Sequence, residues 1–169
     1  MIIVSDTSPL CNLQLVDCLW LLREIYGIVI IPNAVAEELT AASNRDIQNI
    51  CNLEWIETRK VGLTEVADRL KRERGLDPGE ADAIALAMEL RARDLLIDER
   101  LGRREALQLG LPVIGVLGIL VAAKQRGLIL TVQPVMDALI ENAGFRVSDR
   151  LYRQILALSS ESYQKLPPP

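Results

Sequence analysis

Acidic side chains stand where apolar runs of this chain end. Met1–Val4 reads as a buried strand and runs into Ser5-Asp6-Thr7-Ser8, and Leu95–Ile97 reads as another and runs into Asp98-Glu99. Glu37-Glu38 and the pair Glu80 and Asp82 stand on segments with helical spacing. Carboxylates gathered in one crevice repel one another unless protons or cations intervene. Hard divalent ions such as Mg²⁺ or Mn²⁺ suit that role, because they favour oxygen ligands. The pattern points to metal-assisted phosphate chemistry, in which a bound ion lowers the pKa of an attacking water.

The other chemistry-bearing residues narrow the field. The chain has no histidine, so histidine-based acid–base catalysis and histidine-ligated zinc are excluded. Cys11, Cys18 and Cys51 are odd in number and lack paired metal spacing; they are expected as small buried hydrophobes in a reducing compartment. The net charge of −4 argues against a broad basic surface for duplex nucleic acid, yet leaves room for a local basic rim.

Each acid also has a bland role open to it. Asp6 can close an Asx turn or cap the next helix, although Thr7 or Ser8 can take that task and leave Asp6 free. Adjacent helix positions point about 100° apart, so only one of Glu37 and Glu38 can face a pocket squarely. Glu38, beside Leu39 and three residues after Val35, is the better placed, and Glu37 is expected in solvent. Glu80 and Asp82 are separated by about 200° around a helix axis. Glu80 shares a stripe with Ala83, Ile84 and Ala87 and is expected at the pocket; Asp82 is expected to support it or to cap the helix. Arg100, Arg103 and Arg104, with Lys71, Arg72 and Arg74, can touch a nucleic-acid backbone or pair with nearby acids.

These residues need elements to hold them. Strands are expected at Met1–Val4, Ile28–Ile31, Trp55–Ile56, Asp94–Ile97 and Pro112–Gly115. Helices are expected after Pro9, from Asp17 or Cys18 to Tyr26, from Pro32 to Leu39, over Leu63–Arg74, Ala81–Arg93 and Arg100–Leu109, and from Gly115 to Arg126. Ala41–Asn52 is ambiguous, with a break at Ser43-Asn44. Gly75–Gly79 reads as a turn. Alternation of strand and helix across long connections implies a mainly parallel five-stranded sheet with helices on both faces. In such a sheet the carboxyl ends of the strands form the ligand crevice. After Gly127 the alternation stops. Val132–Ala143 and Asp149–Leu158 read as two further helices on the core or a partner, so a core at 1–126 and a helical extension at 127–169 are expected, with Pro167–Pro169 as a frayed tail. The apolar run Leu111–Ala123 is shorter than the roughly 20 residues a membrane span requires, and no basic leader precedes the first strand; a cytoplasmic protein with no membrane contact is expected. The apolar residues of the helix after Gly115, with Leu139, Ile140, Ile155 and Leu158, suggest a homodimer.

A phospho-acceptor receiver would need Asp after the third strand and Lys after the fifth; here Glu57-Thr58 and Gly115 stand there. A small-molecule phosphohydrolase would need a nucleophile or phosphate loop, and neither is evident. Four segments in order, Ile3-Val4-Ser5-Asp6-Thr7-Ser8, Pro32-x-x-Val35-x-x-Glu38-Leu39, Gly79-Glu80-x-x-Ala83-Ile84-x-Leu86-Ala87 and Leu96-Ile97-Asp98-Glu99-Arg100-x-x-Arg103-x-x-Ala106, resemble those of PIN domains. The resemblance covers Met1–Arg126 and extends loosely beyond. It implies a three-layer α/β/α fold and an endoribonuclease dependent on Mg²⁺ or Mn²⁺. Many such proteins are dimeric toxins of type II toxin–antitoxin pairs, held inactive by a cognate antitoxin. Carried over by position, Asp6, Glu38, Glu80 and Asp98 would be the metal-binding acids. The family usually has Asp at the third position, which keeps Asp82 in play, and Glu99 competes with Asp98 for the fourth. An inactive PIN-like scaffold is the alternative.

Overall fold

Strand β1 (Ile3–Ser5) shows in three residues how this sequence divides its core. Ile3 packs into one buried cluster and Val4 into another, because successive side chains of a strand point to opposite faces. The computed structural model of the chain describes residues 2–162. Met1 and the tail Pro167–Pro169 lie outside the described residues.

Helices α1 (Thr7–Leu15) and α2 (Trp20–Tyr26) follow, and Gly27 at φ +84° ends the second. Strand β2 (Val29–Pro32) leads into α3 (Asn33–Ala41). The ambiguous stretch is a short helix α4 (Arg45–Gln48) and a 3-10 turn (Asn49–Asn52). Asn44 sets the break by accepting the N–H groups of Asp46 and Ile47. Then come β3 (Ile56–Arg59), α5 (Thr64–Arg74), α6 (Pro78–Glu89), β4 (Asp94–Leu96), α7 (Arg100–Gln108), β5 (Val113–Ile114), α8 (Val116–Gln125), α9 (Gln133–Asn142) and α10 (Asp149–Leu158).

The five strands run in the order β3-β2-β1-β4-β5 and every pairing is parallel. All-parallel sheets need cover on both faces, and the two buried clusters supply it. One holds Ile3, Val29, Ile31 and Leu96 against α1, α2, α8, α9 and α10; the other holds Val4, Ile30, Leu95 and Ile97 against α5, α6 and α7. The architecture is a three-layer α/β/α sandwich. From β1 the chain moves through α1 and α2 to β2, on one side. From β4 it moves through α7 to β5, on the other side. The order therefore reverses between the neighbours β1 and β4, and a crevice opens at their carboxyl ends.

Sequence and structure differ mainly at boundaries. The largest difference is α6, which begins at Pro78 and not at Ala81, with consequences for the site. The C-terminal helices share the first buried cluster: Val132, Met136, Leu139, Ile155 and Leu156 lie in it beside Leu10 and Leu13. The apolar side of α8 is likewise covered within the chain, with Val116, Ile119, Leu120 and Ala123 fully buried. Of the residues that suggested a dimer, Ile140 and Leu158 remain exposed, whereas Leu139 and Ile155 are buried.

Candidate active site

Asp6 is the first residue past β1, and its N–H still donates to the Leu96 carbonyl at 2.9 Å. The main chain is thus held in the ladder while the side chain turns into the crevice, where it is 2% exposed. Asp6 occupies the N-cap position of α1 but makes no side-chain cap bond. Thr7 does not cap either: its hydroxyl donates to Oε2 of Glu38. Glu38 comes from α3, and its Oε1 accepts the Gly79 N–H at 3.1 Å. A Cβ on Gly79 would lie 2.7 Å from both Glu38 oxygens, so α6 approaches this carboxylate through its bare backbone. Glu37 is exposed, as its helix position suggested.

Glu80 owes its place to the first turn of α6. Asp77 accepts the Glu80 N–H at 2.8 Å, Glu80 Oε2 accepts the Asp77 N–H at 3.3 Å, and Pro78 fills the first helical position. This reciprocal capping box satisfies two otherwise orphaned donors. It leaves Glu80 Oε1 buried with no hydrogen-bond partner. Gly102 of α7 makes room for that oxygen, since a Cβ there would stand 2.7 Å from it.

Asp98 lies past the end of β4, and its carboxylate accepts the Val116 N–H, at 3.1 and 3.4 Å from its two oxygens, at the start of α8. Gly115 permits this approach, because a Cβ would meet Asp98 Oδ1 at 2.5 Å. Arg103 is beside it and donates from Nη1 to the Ile97 carbonyl at 2.9 Å.

The electrostatics divide the acids into two neighbourhoods. Burial pushes Asp6 up to about 7; the Thr7 backbone N–H pulls the other way, and the charges of Asp77, Glu80 and Glu38 push further. Burial, then the charge of Asp77, pushes Glu80 up to about 7, with Glu99 and Glu38 adding to it. Asp98 is raised to about 6 by burial, against the Val116 N–H and the Arg103 guanidinium, with Glu99 pushing up again. Asp6, Glu38 and Glu80 therefore share one field with Asp77. Asp98 lies further along the same edge, and Glu99 acts on both Glu80 and Asp98.

One expectation needs correction. Asp82 neither caps α6 nor supports Glu80: it points to α5 and pairs with Lys71 at 2.6 Å, while Asp77 is the cap. Most of the cations considered for nucleic acid are also engaged. Arg74 and Arg104 converge on the buried Glu105, at 3.4 and 3.1 Å. Glu99 is exposed at the N-cap of α7, without a side-chain cap bond.

Among the described residues, no group of three or more acids or cysteines stands in a metal-coordinating arrangement. Glu38, Glu80 and Asp98 each spend oxygens on an N–H or hydroxyl. The donor chemistry nevertheless fits a hard divalent cation: every candidate atom is a carboxylate oxygen, and Glu80 Oε1 is a buried acceptor that nothing in the chain satisfies.

A family model described as a PIN domain matches residues 2–161. The chain belongs to the PIN-domain family. Comparison with curated proteins and with solved structures gave no match. PIN domains have a nuclease-type fold, are generally nucleases and typically use divalent metal ions; nucleic acid is the partner this implies. In this PIN domain the family match runs through α9 and α10. No described helix is long and apolar enough to cross a membrane.

Sequence reasoning missed Asp77, the glycines at 79, 102 and 115, and the tie between Thr7 and Glu38. The first was detectable: Asp-Pro-x-Glu is the spacing of a capped helix start. The glycine contacts and the Thr7–Glu38 bond join segments far apart in the chain, and no local pattern signals them. Also missed was a cleft of about 610 Å³ at the acidic edge, lined by Thr7, Ser8, Asp98 and Glu99 together with Phe145 and Arg146.

Proposed function

We propose that this PIN domain is a Mg²⁺- or Mn²⁺-dependent endoribonuclease acting on single-stranded RNA, and the toxin of a type II toxin–antitoxin pair. The observation that carries the nuclease reading is the convergence of Asp6, Glu38 and Glu80 at the β1–β4 crevice, with Asp98 along the same edge and one buried Glu80 oxygen left unsatisfied. Asp6, Glu38, Glu80 and Asp98 would hold the ion, with Glu99 as the nearest substitute for Asp98; Asp82 is committed to Lys71. When bound, the ion would bind the scissile phosphate and make water a nucleophile at neutral pH. Thr7 and the Gly79 N–H fix Glu38. The Asp77 capping box aims Glu80 inward, where its free oxygen can orient the attacking water. The Val116 N–H fixes Asp98, and the nearby charge of Arg103 favours its ionised form.

The test is cleavage of a labelled single-stranded RNA with Mn²⁺, with Mg²⁺ and with EDTA. Asp6→Asn and Glu80→Gln should each abolish cleavage while leaving the circular dichroism spectrum unchanged. Asp82→Asn should keep wild-type activity, since its pair with Lys71 is partly exposed and worth at most about 1 kcal/mol. Activity equal to wild type in Asp6→Asn would sink the site assignment. That no preformed coordinating group stands among the described residues favours a second reading, an inactive PIN scaffold. It predicts no cleavage by the wild type and a melting temperature indifferent to either metal.

The toxin role rests on the resemblance of the motifs. Expression in a bacterial host should arrest growth, the arrest should vanish with Asp6→Asn, and a small adjacent reading frame should relieve it. Dimerisation is part of the proposal, with Ile140, Leu151 and Leu158 as exposed apolar residues available for it. Light scattering at micromolar concentration should return twice the chain mass of 18.8 kDa.

A further inference from the structure

The connection between α9 and α10 places the chain's single phenylalanine at the acidic edge. Gly144, at φ +63°, reverses the chain, and the Phe145 N–H returns to the Leu139 carbonyl at 3.0 Å. The segment is therefore anchored. Phe145 and Arg146 border two cavities at once. One is the cleft of about 610 Å³ shared with Thr7, Ser8 and Glu99. The other, about 370 Å³, is shared with Arg103 and Gly115. Asp98 lines both as well, so Phe145 and Arg146 share both cavities with this acid. Phe145 is half-buried, with part of its ring against the core and the remainder available to the cleft. Arg146 is exposed and pairs with no acid among the described residues, although Asp98 and Glu99 line the same cleft.

An aromatic face next to an unengaged guanidinium fits one nucleotide. The ring can stack on a base, and the guanidinium can take a phosphate. A cleft of this size lies within the roughly 300–1,000 Å³ typical of small-ligand sites. Stacking on a side chain also requires an unpaired base, so a duplex is refused. The acidic edge repels a polyanion, and most nearby arginines are tied to Glu105 or to the Ile97 carbonyl. Arg146 supplies the countercharge within the same cleft. We propose that Phe145 and Arg146 seat the RNA for the nuclease site: Phe145 stacks an unpaired base next to the scissile bond, and Arg146 pairs with a flanking phosphate. This rests on the nuclease reading and adds to it a physical basis for its preference for single strands and a role for the connection between the C-terminal helices.

The experiment uses the full chain and a fluorescein-labelled 12-nucleotide RNA, single-stranded or annealed to its complement. Binding is read by anisotropy with Ca²⁺ replacing the catalytic ion, and cleavage with Mn²⁺. Phe145→Leu keeps an apolar side chain against the core and removes the stacking face. It should bind the single strand roughly tenfold more weakly, raise KM far more than it lowers kcat, and leave the melting temperature unchanged. Phe145→Trp should restore binding. Arg146→Ala should weaken binding and reduce the slope of log affinity against log salt by about one. Wild-type binding and KM in both Phe145→Leu and Arg146→Ala, with an active wild type, would overturn the seating role and leave the nuclease reading standing. A wild type that neither binds nor cleaves RNA would overturn both. Equal affinity for the annealed duplex would overturn the stacking.

Discussion

At the scale of the residue, three of the site's carboxyls are pushed above the ordinary carboxylate range by their surroundings. Asp6 and Glu80 are raised to about 7 and Asp98 to about 6, chiefly by burial. An acid raised in the native state binds more protons there than in the unfolded chain, so its contribution to stability falls as pH rises. The fall begins above the ordinary carboxylate range and is complete once pH passes the native values, near 7. Glu161 has the opposite sign. Burial opposes its ionisation, but Lys124 and the N–H groups of Val132 and Gln133 hold it below the usual range, so its contribution is lost only in acid. In EDTA the melting temperature should therefore be higher at pH 5 than at pH 8, and Asp6→Asn should flatten that difference. Mn²⁺ needs deprotonated ligands and binds the native state, so it should raise the melting temperature more at pH 8 than at pH 5. A metal-free melting temperature that climbs from pH 5 to pH 8 would contradict this account.

At the scale of the element, the first turn of α6 links helix stability and site charge through one residue. Asp77 caps the helix and its charge pushes Asp6 and Glu80 up. Asparagine caps about as well as aspartate, whereas alanine costs about 1 kcal/mol. Asp77→Asn should thus raise the melting temperature at pH 8 and Asp77→Ala should lower it. Equal shifts in the two variants would contradict this division between cap and field. Much of the framework was legible beforehand. The apolar runs located all five strands, Pro32 marked the change from β2 to α3, and Asp149–Leu158 matched α10 residue for residue. Asp6, Glu38 and Glu80 were each legible as an acid at a strand end or on a helix stripe. Two things were not legible. Asp82 looked eligible to support Glu80 or cap the helix because its partner, Lys71, is on a different helix and no local pattern signals the pair. Phe145 and Arg146 sit in a loop with no periodicity, and only the packing of α9 and α10 brings them to Asp98.

At the scale of the whole molecule, α9 and α10 belong to the same buried cluster as β1. Met136 and Leu139 are fully buried, and Glu161 ties the stretch after α10 back to the start of α9 and to Lys124. Met136→Ala should cost about 2–5 kcal/mol in a single transition, as read by urea unfolding followed through both far-ultraviolet dichroism and tryptophan fluorescence. A separate early transition would show that the C-terminal helices unfold on their own.

The strand order has a consequence for how the protein is made. Strand β1 leaves the ribosome ahead of the strands it pairs with, yet in the sheet it lies between β2 and β4, and the Asp6 N–H bonds to Leu96. Such distant pairing is slow to form because a long loop must close before any contact rewards it. A nascent chain arrested ahead of Asp94 should therefore be digested readily near Asp6, and one extended past Ser159 should resist. The acidic crevice comes into existence only after β4 and Asp98 have been made, so a shorter translation product carries Asp6 without the neighbours that surround it in the fold.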